Sequence, residues 1–180
     1  YQGAPYTHGC GINAGAFSAV TPGLFEVLGF FKRVLSDDER EHFIEEISRM
    51  DAVDIIIIDT SAGVSSNVLD FIAAADDAVI VTTPEPTAIT DAYGIIKIIA
   101  TEIDNMNLGI KLIVNRVKSV TEGKKVSERV INIASQFLNL KVDYLGYVYD
   151  DPQVSQAILK QKPFIIVDPD SKASICIKHI

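Results

Sequence analysis

Asp54-Ile55-Ile56-Ile57-Ile58-Asp59-Thr60-Ser61-Ala62-Gly63 decides the fold class. Four consecutive isoleucines, with no polar side chain until Asp59, read as a strand buried on both faces. That is the pattern of a central strand in a parallel α/β sheet rather than of a half-wet one. Open α/β sheets bind ligands at the C-terminal ends of their strands, where Asp59 and the small-residue loop to Gly63 fall. In a nucleotide-hydrolysing fold, Asp59 would hold a magnesium ion, usually through water. Gly63 would let a switch loop bring its backbone close to a terminal phosphate. The stretch fits equally a core strand whose Asp59 merely caps a turn.

Downstream, the chain alternates. Ala78–Val81, Ile110–Val114, Tyr144–Val148 and Phe164–Val167 read as short apolar strands. Between them lie helical patterns: one capped by Ser65 or Ser66 and running to Ala75, one capped by Thr90 with Ala92, Ile95, Ile96, Ile99 and Ile103 in register, and one marked by Val126, Val130, Ile133, Ala134, Phe137 and Leu138. Pro84 and Pro86 predict a rigid, non-helical loop after the second strand. Asp151 should cap a short helix with Pro152 at its first position, and Asp168–Ser171 should open a last helix. Upstream, Ser36-Asp37-Asp38-Glu39 is a capping box for a helix striped by Phe43, Ile44, Ile47 and Met50. Strand, polar loop, helix, repeated, builds right-handed parallel crossovers. The expected fold is α/β, a doubly wound, mostly parallel sheet with helices on both faces.

Residues 1–35 stand apart as an atypical N-terminal segment, and residues 36–180 form an α/β nucleotide-hydrolase-like domain, a single domain overall. Gly9-Cys10-Gly11-Ile12-Asn13-Ala14-Gly15 is glycine-rich, but no Gly-Lys-Ser/Thr follows to meet a phosphate and a magnesium ion. A turn-rich leader is the expected reading. The chain starts at Tyr1 rather than Met, as a fragment or processed form would.

A composition 48% hydrophobic and 22% charged belongs to a folded domain with a sizeable core. The formal net charge of −8 argues against a broad footprint on nucleic acid or anionic membrane. Cys10 and Cys176 have no metal-ligand spacing and read as free thiols of a reducing cytosol. No run reaches membrane-span length and no leader peptide opens the chain, so a cytoplasmic protein is expected.

Every chemically interesting loop follows a strand: Asp59–Gly63, Thr83–Thr87, Asn115–Arg116 and Tyr149–Asp151. In a parallel sheet these share one edge. The Asn115 amide donates and accepts together, as reading an adenine edge requires, or else it closes a turn. Asp150 and Asp151 are a base-side contact or a helix cap, with the cap favoured for Asp151. An unrelated α/β enzyme using Asp59 and Asp150 as acid and base is a weaker alternative, because no His, Cys or Ser joins them in a catalytic spacing.

In this order the motifs resemble the MinD/ParA group of ATPases, and most closely its flagellar-number regulators of the FlhG (YlxH) type. The likeness is carried by Ile58-Asp59-Thr60-Ser61-Ala62-Gly63-Val64-Ser65, by Val81-Thr82-Thr83-Pro84-Glu85-Pro86-Thr87-Ala88-Ile89-Thr90-Asp91-Ala92-Tyr93, and by Val114-Asn115-Arg116-Val117. Leu145-Gly146-Tyr147-Val148-Tyr149-Asp150 and Gln161-Lys162-Pro163 agree with it. It runs from about residue 36 to the end, and the Pro-Glu-Pro-Thr stretch with its Thr-Asp-Ala-Tyr sequel is its most specific piece.

The resemblance implies a SIMIBI-type P-loop NTPase fold and an ATP-dependent dimerisation switch that binds Mg-ATP at the sheet edge. It implies a role in flagellar number or placement, a homodimer, an SRP-type GTPase partner, and a location at the inner face of the membrane through a segment outside this chain. By position, Asp59 matches the acidic residue that orders magnesium, and Thr60 to Gly63 match the switch loop. Asn115 with Arg116 match the adenine-side segment, and Asp150 the loop closing over the base, although Tyr149 stands where the family has proline. The family's Lys-Gly-Gly-Val-Gly-Lys-Ser/Thr loop and the second-strand acidic motif do not occur in residues 1–58. The fold is therefore expected to be N-terminally incomplete here, with negligible hydrolysis by this chain alone. Two functional expectations follow: a C-terminal portion of an FlhG-type ATPase, or a non-catalytic, partner-binding module of the same fold.

Overall fold

The computed structural model describes residues 36–49, 55–60, 65–105 and 107–180. In chain order these form α1 (Asp37–Ser48), α2 (Ser66–Ala74), β1 (Asp77–Thr82), α3 (Pro86–Glu102), β2 (Gly109–Val117), α4 (Val120–Leu138), β3 (Val142–Tyr149), α5 (Pro152–Leu159), α6 (Phe164–Val167) and α7 (Lys172–His179). The three strands make one parallel sheet in the order β1-β2-β3.

Crossovers α3 and α4 cover one face. Ala78 and Ile80 of β1, with Ile110, Leu112 and Val114 of β2, pack against Ile89, Ala92, Ile96 and Ile99 of α3 and Val126, Val130 and Ala134 of α4. The opposite face is covered where Val148 of β3 meets Ala157, Phe164 and Ala173 from α5, α6 and α7, with Ile113 of β2 beside them. Helices thus lie on both faces of a parallel sheet, as the alternating pattern predicts.

Capping follows local chemistry. Ser119 Oγ accepts from the Glu122 N–H at 3.1 Å, and Glu122 reaches back to the Lys118 N–H at 2.6 Å, so α4 starts from a reciprocal pair. It ends on Asn139 in the left-handed region, φ 52°. Asp151 caps α5 as expected: Oδ1 accepts from the Gln153 N–H at 3.0 Å, and Oδ2 also accepts from the Ala173 N–H at 3.2 Å, tying α5 to α7.

Four expectations need correction. Ile55–Thr60 forms no strand, and Ile55 and Ile57 are 77% and 63% exposed. A strand buried on both faces needs a neighbour, and among the described residues none pairs with this segment or with the outer edge of β1. Pro84 and Pro86 do not exclude helix: Pro86 is the first helical residue of α3, where its missing N–H costs nothing. Thr90 lies inside that helix and donates its hydroxyl to the Pro86 carbonyl at 3.0 Å rather than capping. Phe164–Val167 is not a fifth strand but the single turn α6, starting after Pro163 and held by the Asp168 N–H to the Phe164 carbonyl at 2.8 Å. Its length is too short for periodicity to separate the two states.

Gly123 of α4 lies close against β3. A Cβ there would sit 3.2 Å from the Tyr147 Cβ, an atom fixed by the strand backbone. Gly123→Leu should therefore destabilise the fold by about 1–3 kcal/mol through overpacking. Urea denaturation checks this, and an unchanged midpoint would show that α4 shifts freely.

Candidate functional site

Parallel strands bring the ends of β1, β2 and β3 to one edge, and with them the Thr83–Glu85 loop, the Asn115–Arg116 pair and Asp150. Thr83 hydrogen-bonds through Oγ1 to the Glu85 carboxylate, which fixes the loop just before Pro86. The end of β2 is irregular. Val114 pairs with Tyr147 and Val117 with Tyr149, so three steps of β2 match two of β3. The extra residue is absorbed at Asn115–Arg116, where Arg116 takes φ 57°.

A left-handed non-glycine residue costs roughly 1–2 kcal/mol, so the surrounding contacts must hold it. Asn115 Oδ1 accepts from the Arg116 N–H at 2.9 Å. Arg116 Nε donates to Asp150 Oδ1 at 3.4 Å, and the Asp150 N–H donates to the Val117 carbonyl at 3.0 Å. The Arg116 and Asp150 side chains are 60% and 52% exposed, so their ion pair is energetically small. Its effect is geometric: it clasps the ends of β2 and β3. Among the described residues, the Asn115 amide nitrogen keeps both donors free of protein partners and stands beside that clasp.

Asn115, Arg116 and Asp150 are thus brought together. Asp59 and Thr60 are exposed residues of the 55–60 segment, which forms neither helix nor strand, and among the described residues no hydrogen bond or ion pair joins them to the clasp. Gly63 lies outside the described residues. Asp150 pairs with Arg116, and among the described residues no hydrogen bond or ion pair joins it to Asp59.

Desolvation on one side raises the Asp59 pKa above the ordinary carboxylate value. A carboxylate desolvated in this way gains from a cation, and magnesium characteristically takes one or two carboxylates plus water and substrate phosphates. Among the described residues, no cluster of three or more His, Cys, Asp or Glu forms an all-protein metal cage.

The sign of a pH effect follows. With the folded pKa raised, the ionised form opposes folding at neutral pH, and the penalty vanishes as pH falls through the folded value. Asp59→Asn should therefore be slightly stabilising at neutral pH and without effect below the carboxylate range. Denaturation at the two pH values tests this, and equal shifts at both would remove the desolvation argument.

Sequence reasoning missed the left-handed Arg116 and the second bond of Asp151. The only signal for the first is that a polar Asn-Arg pair interrupts the apolar run Leu112–Val117. Nothing in the sequence points to the second.

No protein-family model matches the chain. It is 32% identical over 130 residues to the antiactivator FleN of Pseudomonas aeruginosa, covering 72% of this chain and 46% of FleN. It is 30% identical over 167 residues to the flagellum site-determining protein YlxH of Helicobacter pylori, covering 89% and 55%. The fold superposes on the MinD cell division protein of Aquifex aeolicus with a TM-score of 0.64 at 25% identity, covering 81% of this chain and 58% of that one. The chain spans about half the length of the relatives it matches.

Proposed function

Because the chain belongs to the MinD/ParA-type family of P-loop ATPases, close to its FlhG branch, we propose that it is the C-terminal portion of an ATP-dependent dimerisation switch in flagellar number or placement control. The observation that carries this reading is the clasp at the sheet edge, where Asn115, Arg116 and Asp150 meet at the ends of parallel strands. A purine is read there by donors and acceptors in one plane, and the amide of Asn115 supplies them.

In this reading Asn115 and Arg116 form the adenine side, Asp150 closes over the base, and Thr60 and Gly63 belong to the phosphate-sensing loop. Asp59 orders the magnesium ion, which when bound would neutralise phosphate charge. The chain's own contribution is to orient the base and hold the cation. Phosphate affinity comes mostly from a glycine-lysine loop on another strand, and the outer edge of β1, which pairs with no strand among the described residues, is where such a strand would fit. The family resemblance adds a homodimer and an SRP-type GTPase as partners. In this reading the protein works in the cytoplasm and, through a segment outside this chain, at the inner face of the membrane. No helix among the described residues is long and apolar enough to cross a membrane.

Calorimetry of Mg-ATP against this chain, and against a version extended by a phosphate-loop segment, tests the proposal. Millimolar or absent binding is expected for the first. Micromolar, magnesium-dependent binding that Asp59→Ala weakens is expected for the second. Equal affinity for both would leave the phosphate-loop argument without support, and no binding by either would favour the same fold acting as a non-catalytic partner-binding module.

A further inference from the structure

A second concave site lies on the other side of β3. A solvent-open cavity of 730 Å³ runs along that strand between the start of α4 and helix α7. Lys118, Thr121, Tyr147, Tyr149, Lys172 and His179 line it, whereas Asn115, Arg116 and Asp150 do not. No carboxylate side chain lines the cavity, in a chain of formal net charge −8. The Glu122 carboxylate on the adjoining turn is already taken by the Lys118 N–H at 2.6 Å.

Among the described residues, neither lysine ammonium has a carboxylate partner. Lys172 Nζ instead stands over the Tyr149 ring, 5.9 Å from its centroid, and Tyr149 meets Tyr147 edge-on at 5.3 Å. The cavity therefore offers two tyrosine rings set edge to face, two ammonium groups without a carboxylate partner among the described residues, and the Thr121 hydroxyl, within a volume typical of small-molecule sites. An ammonium over a ring is a cation already positioned beside a stacking surface. The complementary ligand carries a planar ring and a compact anion.

We propose that this cavity binds a small phosphate ester of an aromatic or nucleoside body, with the ring against Tyr147 and Tyr149 and the phosphate between Lys118 and Lys172. The cavity borders the sheet-edge clasp at Lys118 and Tyr149 but is lined by none of Asn115, Arg116 and Asp150, and it does not depend on a phosphate loop. Nucleoside and simple aryl phosphates share the required chemistry, and probing with both separates them.

Cys176 provides an internal reporter, because its half-buried thiol lines the same cavity. In a Cys10→Ser background and magnesium-free buffer, Cys176 alkylation by iodoacetamide is timed with AMP, phenyl phosphate, inorganic phosphate or phenol present. AMP or phenyl phosphate should slow alkylation at concentrations where phosphate alone and phenol alone do not. Lys172→Glu should weaken that protection about tenfold, because a charge-assisted contact becomes repulsive. Lys118→Glu, also at an exposed position, provides the same test should the first variant lose its helical circular dichroism. Asn115→Ala should leave protection unchanged, which keeps this result independent of the adenine reading. Failure of both esters to protect Cys176, or equal protection in both lysine variants, overturns the proposal.

Discussion

Leu112→Ala should lower the unfolding free energy by about 2–5 kcal/mol, enough to bring a domain of ordinary stability close to its threshold. Leu112 has no exposed surface and sits at the middle of β2, the strand with a partner on each side. It is in register with Ile80 of β1 and Tyr144 of β3. Truncation there opens a void whose walls are strand backbone and the two crossover helices, none of which can collapse inward without breaking ladder hydrogen bonds. Leu159→Ala provides the control: that side chain is 85% exposed on α5, so its loss should change stability by no more than about 0.5 kcal/mol. Urea titrations of both variants decide the matter. A Leu112→Ala loss below about 1 kcal/mol would mean that the core is not organised around β2.

Strands β2 and β3 were legible because Ile110–Val114 and Tyr144–Val148 pack against helices that the sequence also announces, and pattern and environment agree. Asp151 was legible for a local reason, since an aspartate before Pro152 needs no tertiary information to become a cap. The Ile55–Ile58 run shows the opposite case. Its composition specifies burial on two faces, but burial requires neighbours that its own residues cannot supply, and Ile55 and Ile57 stay exposed. Phe164–Val167 failed through brevity, because four apolar residues satisfy either period. At the site, the residue types Asn115, Arg116 and Asp150 were readable, but their geometry was not. The register shift that turns Arg116 into the left-handed region is a relation between β2 and β3, and a single strand's sequence does not contain it.

That strained turn separates stability from recognition, and paired substitutions should show it. In a chain extended by a phosphate-loop segment, Asn115→Ala should weaken Mg-ATP binding by about tenfold to a hundredfold, since a site built to hydrogen-bond a base loses its polar partner. Magnesium triphosphate, which lacks a base, should bind as before. Arg116→Gly should do the reverse. Glycine takes φ 57° without the Cβ penalty, and the exposed pair with Asp150 that it gives up is worth little, so stability should rise by roughly 0.5–1 kcal/mol. The Asn115 amide remains, and ATP affinity should fall only a few-fold as the clasp loosens. Equal losses of affinity in the two variants would show that the turn, rather than the amide, governs recognition. An unchanged affinity in Asn115→Ala would place the base elsewhere on the sheet edge, with Arg116 held left-handed for structural reasons alone.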